Sequence, residues 1–163
     1  MRSSTGRALM AAGLSGSHTW ASNAGATMGI VSLTTRTFGR AVSRGGVTLV
    51  DFWAPWCVRC HAFGAVYQRV SSRHPEVMFA KVDVEAQREL AATLHITAIP
   101  TLMAFRQGIV VFDQPGGMLE RDLEELITAI RALDTDRMHR EVAAIGATQR
   151  ASVLRRPADE LVR

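Results

Sequence analysis

Cysteine is nearly absent, with two residues in a chain of 163. Two thiols exclude a multi-bridge secreted scaffold and a four-cysteine zinc site. Long apolar runs are missing too. None approaches the roughly 20 residues of a spanning helix, which excludes a helical integral membrane protein and leaves no membrane partner in this reading. Acid is missing from the first 50 residues, which hold five Arg and no Asp or Glu; the first acid is Asp51. Lysine is reduced to Lys81 among 19 basic residues. That arginine bias carries no mechanism by itself.

What is present is ordinary for a globular protein: 47% hydrophobic and 21% charged residues. The length suits about one domain, and a chain of about 150 residues buries roughly 70% of its unfolded surface. Net charge is +4 but unevenly spread. Residues 51–133 carry eight basic and ten acidic groups, and residues 134–163 carry six and five. The basic excess therefore belongs to the N-terminal segment and not to a patch on the folded body. No nucleic-acid partner follows from it.

Three segments emerge along the chain. Residues 1–28 are rich in Ser, Thr, Gly and Ala with scattered Arg. Such composition cannot offset its ordering entropy, so a disordered tail, or extra residues upstream of a start at Met28, is expected. Arg2, Arg7 and the short stretch Ala8–Ala12 also give it a weak likeness to a signal or transit peptide. Residues 29–133 form the expected domain. Residues 134–163 read as a weakly amphipathic helical extension, broken at Gly146 and Pro157.

Within the domain, Ile30–Leu33 suggests a short edge strand and Thr34–Arg44 a helix ended by Gly45-Gly46. Val47–Trp53 is a β-branched and aromatic run, as in a buried central strand. Phe63, Val66, Tyr67 and Val70 fall on one face of a helix running from Cys57 to about Arg73, with His74-Pro75 ending it. A strand follows at Val77–Val82 and a helix at Glu85–Leu94. Strands at Thr101–Phe105 and Ile109–Phe112 flank an Arg106-Gln107-Gly108 hairpin turn. Leu119, Leu123, Leu126, Ile127, Ile130 and Leu133 mark a final amphipathic helix. The order is βαβαβαββα. It requires crossover helices and gives an α/β fold with a central mixed β-sheet flanked by helices on both faces.

Cys57-Val58-Arg59-Cys60 sits where the central strand gives way to a helix. That spacing puts both sulfurs on the first helical turn, where unpaired N–H groups and the macrodipole favour a thiolate. A thiolate at Cys57 attacks a disulfide, and Cys60 resolves the mixed disulfide. Three other readings exist. A structural disulfide over so short a loop gains little. Zinc lacks its other ligands, so no metal is expected. Cys57-x-x-Cys60-His61 also matches a c-type haem attachment, but the strand before it and the βα pattern after it oppose a haem pocket.

The stretch Val50–Cys60 resembles the active site of the thioredoxin family, with Ala80-Lys81-Val82-Asp83, Ile99-Pro100-Thr101, Gly108 and Gly116 at the family's distances downstream. The resemblance covers residues 30–133 and is closest to actinobacterial thioredoxins. It implies a thioredoxin fold and roles residue by residue. Asp51, buried in an apolar strand, takes a raised pKa and accepts the proton of Cys60. Lys81 stands beside that Asp and opposes the rise. Pro100 resembles the family's cis-proline facing the cysteines, which leaves the Ile99 backbone free to pair with an extended substrate. Trp56 lies on the surface beside Cys57, and Gly116 leaves room for a substrate chain. Trp53 is packing whose N–H needs a partner. His61 reads as an exposed helix histidine, and Tyr67 as core or surface.

Two departures stand out. Val58-Arg59 replaces the Gly-Pro usual between the cysteines. The fixed charge of Arg59 favours thiolates, stabilises the dithiol and makes the disulfide more oxidising. Ala65, after Gly64, stands where the family usually has a kinking proline, so the helix is expected to run straighter.

The resemblance therefore implies a protein-disulfide reductase that maintains cell redox homeostasis without a bound cofactor. Its implied partners are an NADPH-dependent thioredoxin reductase and disulfide-containing protein substrates. The expected form is a cytoplasmic monomer, with export or an organelle as the alternative address. The functional alternatives are a more oxidising thiol oxidant or isomerase, and a non-catalytic docking module on the same fold.

Overall fold

The structure of the chain is a computed structural model and describes residues 29–154. The expectations for residues 1–28 and for Pro157 lie outside the described residues.

Among the described residues, five strands and five helices follow one another much as the sequence pattern implies. They are β1 (Val31–Ser32), α1 (Thr35–Ser43), β2 (Val47–Trp53), α2 (Val58–Ser71), β3 (Met78–Asp83), α3 (Arg88–Thr93), β4 (Thr101–Arg106), β5 (Ile109–Pro115), α4 (Glu120–Arg131) and α5 (Thr135–Leu154). The strands form one sheet in the order β1-β3-β2-β4-β5. β2 lies at its centre, parallel to β3 and antiparallel to β4. The β4–β5 hairpin closes through Gln107 and Gly108, with φ of 52° and 84°. Both residues are left-handed, as a two-residue turn requires if it is to match strand twist.

Side chains alternate across the sheet and so build two cores. Leu49, Phe79, Leu102 and Ala104 face one way, against Phe63, Tyr67 and Val70 of α2 and Leu123, Ile127 and Ile130 of α4. Val50, Phe52, Ala80, Val82, Met103 and Phe105 face the other, against Phe38, Ala41 and Val42 of α1 and Leu90 of α3. Burying each large side chain is worth about 1.5–3 kcal/mol, which is why the central strands tolerate almost no polarity. Asp51 is the charged exception in β2, on the α2 side by alternation with Leu49.

Helix α3 is shorter than the expected Glu85–Leu94 because the chain spends residues 84–87 on a turn. Asp83 Oδ1 accepts the N–H groups of Glu85 and Ala86 at 2.9 and 3.3 Å, and only then does the helix start. At its far end His95 takes a φ of 55°, and the Ile96 N–H reaches back to the Ala91 carbonyl at 2.9 Å. That closure aims the chain toward Pro100. α2 is continuous through Gly64 and Ala65. α5 corrects an expectation: it continues through Gly146 without a break. An interior glycine costs a helix about 1 kcal/mol relative to alanine, which twenty residues of helix absorb. Among the described residues, no helix is long and apolar enough to cross a membrane.

Candidate active site

β2 ends at Trp53, and the short link to α2 delivers Cys57 as the residue that caps the helix. Its N–H donates to the Ala54 carbonyl at 3.1 Å, and its sulfur accepts the Cys60 N–H at 3.2 Å. One of the N–H groups of the first turn, left without a partner within the helix, is therefore aimed at the Cys57 sulfur. Cys57 and Cys60 are joined as a disulfide with their Cα atoms 5.2 Å apart. Both are buried, within a small cluster with Ala54 that Trp53, Val84 and Ile99 pack against. Their neighbours Val58 and Arg59 are exposed, and so is Trp56.

The disulfide opens onto a groove of about 590 Å³. It is lined by Trp56, Cys57, Val58 and Arg59 from the start of α2, by the segment Ile96–Ile99 and by Val84. The Ile99–Pro100 bond is cis, and Pro100 is fully buried. The Pro100 carbonyl accepts the Gly116 N–H at 2.7 Å, which ties the loop after β5 to the groove. Gly116 has a φ of 102°, and a Cβ there would meet nothing within 4 Å. Its need for glycine comes from backbone conformation.

Beneath α2, Asp51 is 4% exposed, and its Oδ1 has no hydrogen-bond partner among the described residues. Burial pushes its carboxyl pKa up to about 7, and the charge of Lys81 opposes the rise. Asp51 and Lys81 are register partners across β2 and β3. They form no ion pair; the Lys81 ammonium lies over the Trp53 ring, 4.9 Å from its centre. The ring supplies an attractive face close by, so Lys81 acts on Asp51 through space. The Trp53 N–H, expected to need a partner, has none among the described residues.

Three features escape the sequence reading. His61 is exposed as expected, but its Nε2 lies 2.7 Å from the Pro55 carbonyl and its ring meets Trp53 edge-on, 5.9 Å between centres. The imidazole thus braces the loop that carries the cysteines. Tyr67 is fully buried and donates from its hydroxyl to the Ala80 carbonyl at 3.1 Å. Burial, first, and the nearby Asp51 charge hold its phenol well above the usual tyrosine range. A lone tyrosine in an apolar stripe was the available signal, since a buried hydroxyl needs an acceptor. Ile96, Thr97 and Ala98 line the groove from a segment with no motif of its own. Among the described residues, no cluster of His, Cys, Asp and Glu could hold a metal ion.

Comparison with known proteins agrees with this geometry. The family described as Thioredoxin matches residues 29–131. A Streptomyces coelicolor protein named "Putative thioredoxin 2" is 43% identical over 113 residues, 69% of this chain and 84% of that one. The thioredoxin of Bacillus subtilis is 34% identical over 101 residues, 61% of this chain and 96% of its own length. The crystal structure of the thioredoxin Mala s 13 from Malassezia sympodialis superposes with a TM-score of 0.58 at 30% identity, covering 64% of this chain and 94% of that one.

Proposed function

The chain belongs to the thioredoxin family, whose members are thiol–disulfide oxidoreductases with a cysteine pair at the active site, and from that premise we propose that it reduces disulfides in other proteins. The observation that carries the reading is the buried Cys57–Cys60 pair at the amino end of α2, with Cys57 lining an adjacent groove.

The cycle starts from the dithiol. The Cys57 thiolate attacks one sulfur of a substrate disulfide. The substrate S–S bond breaks, one sulfur leaves as a thiolate and takes up a proton, and a mixed disulfide forms. Cys60 gives its proton to the Asp51 carboxylate and attacks the Cys57 sulfur. The mixed bond breaks, and the second substrate sulfur leaves and is protonated. Two electrons have passed to the substrate, and the Cys57–Cys60 disulfide remains. A carboxyl with a pKa of about 7 suits this transfer, because it takes and returns a proton near neutrality. Lys81 trims that pKa from above the Trp53 ring. Trp56, Ile99 and Gly116 border the path of the substrate backbone, with Pro100 bringing no competing donor there. An NADPH-dependent thioredoxin reductase regenerates the dithiol, and a reducing compartment such as the cytoplasm suits this direction.

A second reading is favoured by Arg59, whose fixed charge beside the cysteines stabilises thiolates and shifts the couple toward an oxidant or isomerase. The midpoint potential at pH 7 against a glutathione series separates the two. Thioredoxin lies at about −270 mV and protein disulfide isomerase at about −180 mV. We expect a reductase value displaced upward by Arg59, and Arg59→Pro to move it down by about 30 mV, equivalent to about tenfold in the exchange constant. An unchanged potential in the variant removes Arg59 as a tuning residue. No reversible couple at all would remove the enzyme reading.

A further inference from the structure

The groove beside the disulfide is almost uncharged. Its walls are Trp56, Val58, Val84, Ile96 and Ile99 with small neighbours, and Arg59 is the one charged residue among those lining it. Arg59 is exposed and makes no hydrogen bond or ion pair among the described residues. The two acids that flank Val84 are already engaged. Asp83 accepts two backbone N–H groups, and Glu85 pairs with Arg88 at 3.1 Å. No acid occupies the first turn of α2. The cation at the mouth of the groove therefore has no internal partner, and the helix end behind it adds to its field.

We infer that Arg59 selects among substrates, favouring disulfides flanked by carboxylates over those flanked by ammonium groups. This rests on the reductase reading and names its substrate class: acidic segments laid along an apolar groove, with a side-chain carboxylate reaching the guanidinium. Arginine suits this task because its planar fork takes a carboxylate through two parallel bonds. The electron path is unchanged. The dithiol becomes the Cys57–Cys60 disulfide and the substrate disulfide becomes two thiols.

The test uses the full chain reduced with dithiothreitol and freed of it, in single turnover. The probes are acetylated, amidated Cys-Glu and Cys-Lys dipeptides, each oxidised to its symmetrical disulfide. Flanking charge also alters how well a thiol leaves, so each rate is divided by the rate with dithiothreitol alone. Each exposed charge pair at contact range is worth about threefold, so the corrected Glu-to-Lys rate ratio is expected to be about ten at low salt and to fall toward one in concentrated salt. Arg59→Gln should bring the ratio to about one, Arg59→Glu should invert it, and Arg59→Lys should restore most of it. A change in potential alters both peptide rates together and leaves the ratio alone, which separates selection from redox tuning. A ratio that is the same in the parent and in Arg59→Gln overturns the inference. Reduction of neither peptide overturns the reductase reading and this inference with it.

Discussion

Helix α2 carries arginine at both ends, in opposite circumstances. At its carboxyl end Arg69 reaches Glu120 of α4 at 3.0 Å, and Arg73 meets both Glu120 and Glu124 at 2.7 Å. His74 joins Glu124 and Glu76, and Arg131 closes on Glu76 at 2.8 Å. At its amino end Arg59 lines an apolar groove and has no partner among the described residues, and the nearest carboxylate in sequence, Asp51, is buried. One end spends its charges on holding α2 to α4. The other leaves one charge unspent and another displaced from its ordinary pKa. Exposed, mutually satisfied groups report architecture; a buried acid and an unpaired cation beside a reactive pair report chemistry.

The contrast breaks most severely at the cysteines. Cys60→Ser should abolish turnover, by at least about a thousandfold, because the mixed disulfide on Cys57 has no resolving thiol. A covalent adduct with substrate should accumulate, visible on a non-reducing gel and cleared by dithiothreitol. A variant that turned over freely would show that Cys60 does not resolve.

Asp51→Asn sharpens the same contrast through stability. An acid whose folded pKa is raised binds its proton more tightly in the folded state. Its penalty is therefore absent below about pH 3.8, grows as pH rises, and is complete above about 7. The variant should be more stable than the parent by up to about 4 kcal/mol at pH 8 and nearly equal to it near pH 4, read from denaturant melts. Equal stability at both pH values would mean that Asp51 is not held protonated by burial.

The smallest effect belongs to the other end. Glu124 has its carboxyl held below the usual range, first by the hydrogen bond from His74. Such a group contributes above its unfolded pKa of about 4.5 and loses the contribution as pH falls through the lower folded value. Its pH dependence is thus opposite in sign to that of Asp51. Glu124→Gln should destabilise by less than about 1 kcal/mol at pH 7, less still in salt, with the potential unchanged. A shifted potential would show that the two ends of α2 are coupled.

Much of this was legible before any geometry. β2 spans the run Val47–Trp53 expected of it, because β-branched and aromatic residues bounded by Gly46 and Pro55 leave little choice. The Cys57–Cys60 pair at a strand-to-helix junction, the burial of Asp51 and the cis bond before Pro100 all match the resemblance to thioredoxins. What escaped depends on where side chains point. Register placed Lys81 beside Asp51, but only geometry shows its ammonium over Trp53. The Asp83 turn shortened α3, a local competition between side chain and backbone that helical periodicity does not register. Gly146 carries the local mark of a helix breaker, but a single interior glycine is a tolerable cost in a helix of this length.

Helix α4 also sets how the molecule can be held. Just before it, Gly116 touches the Pro100 carbonyl at the groove; at its end, Arg131 reaches Glu76. Twelve helical residues lie between these points, a span of about 18 Å. A dye fastened at Arg131 itself sits at the far end of that helix from the glycine that meets Pro100. A probe held there would report on the domain without entering the groove, whose lining does not include Arg131.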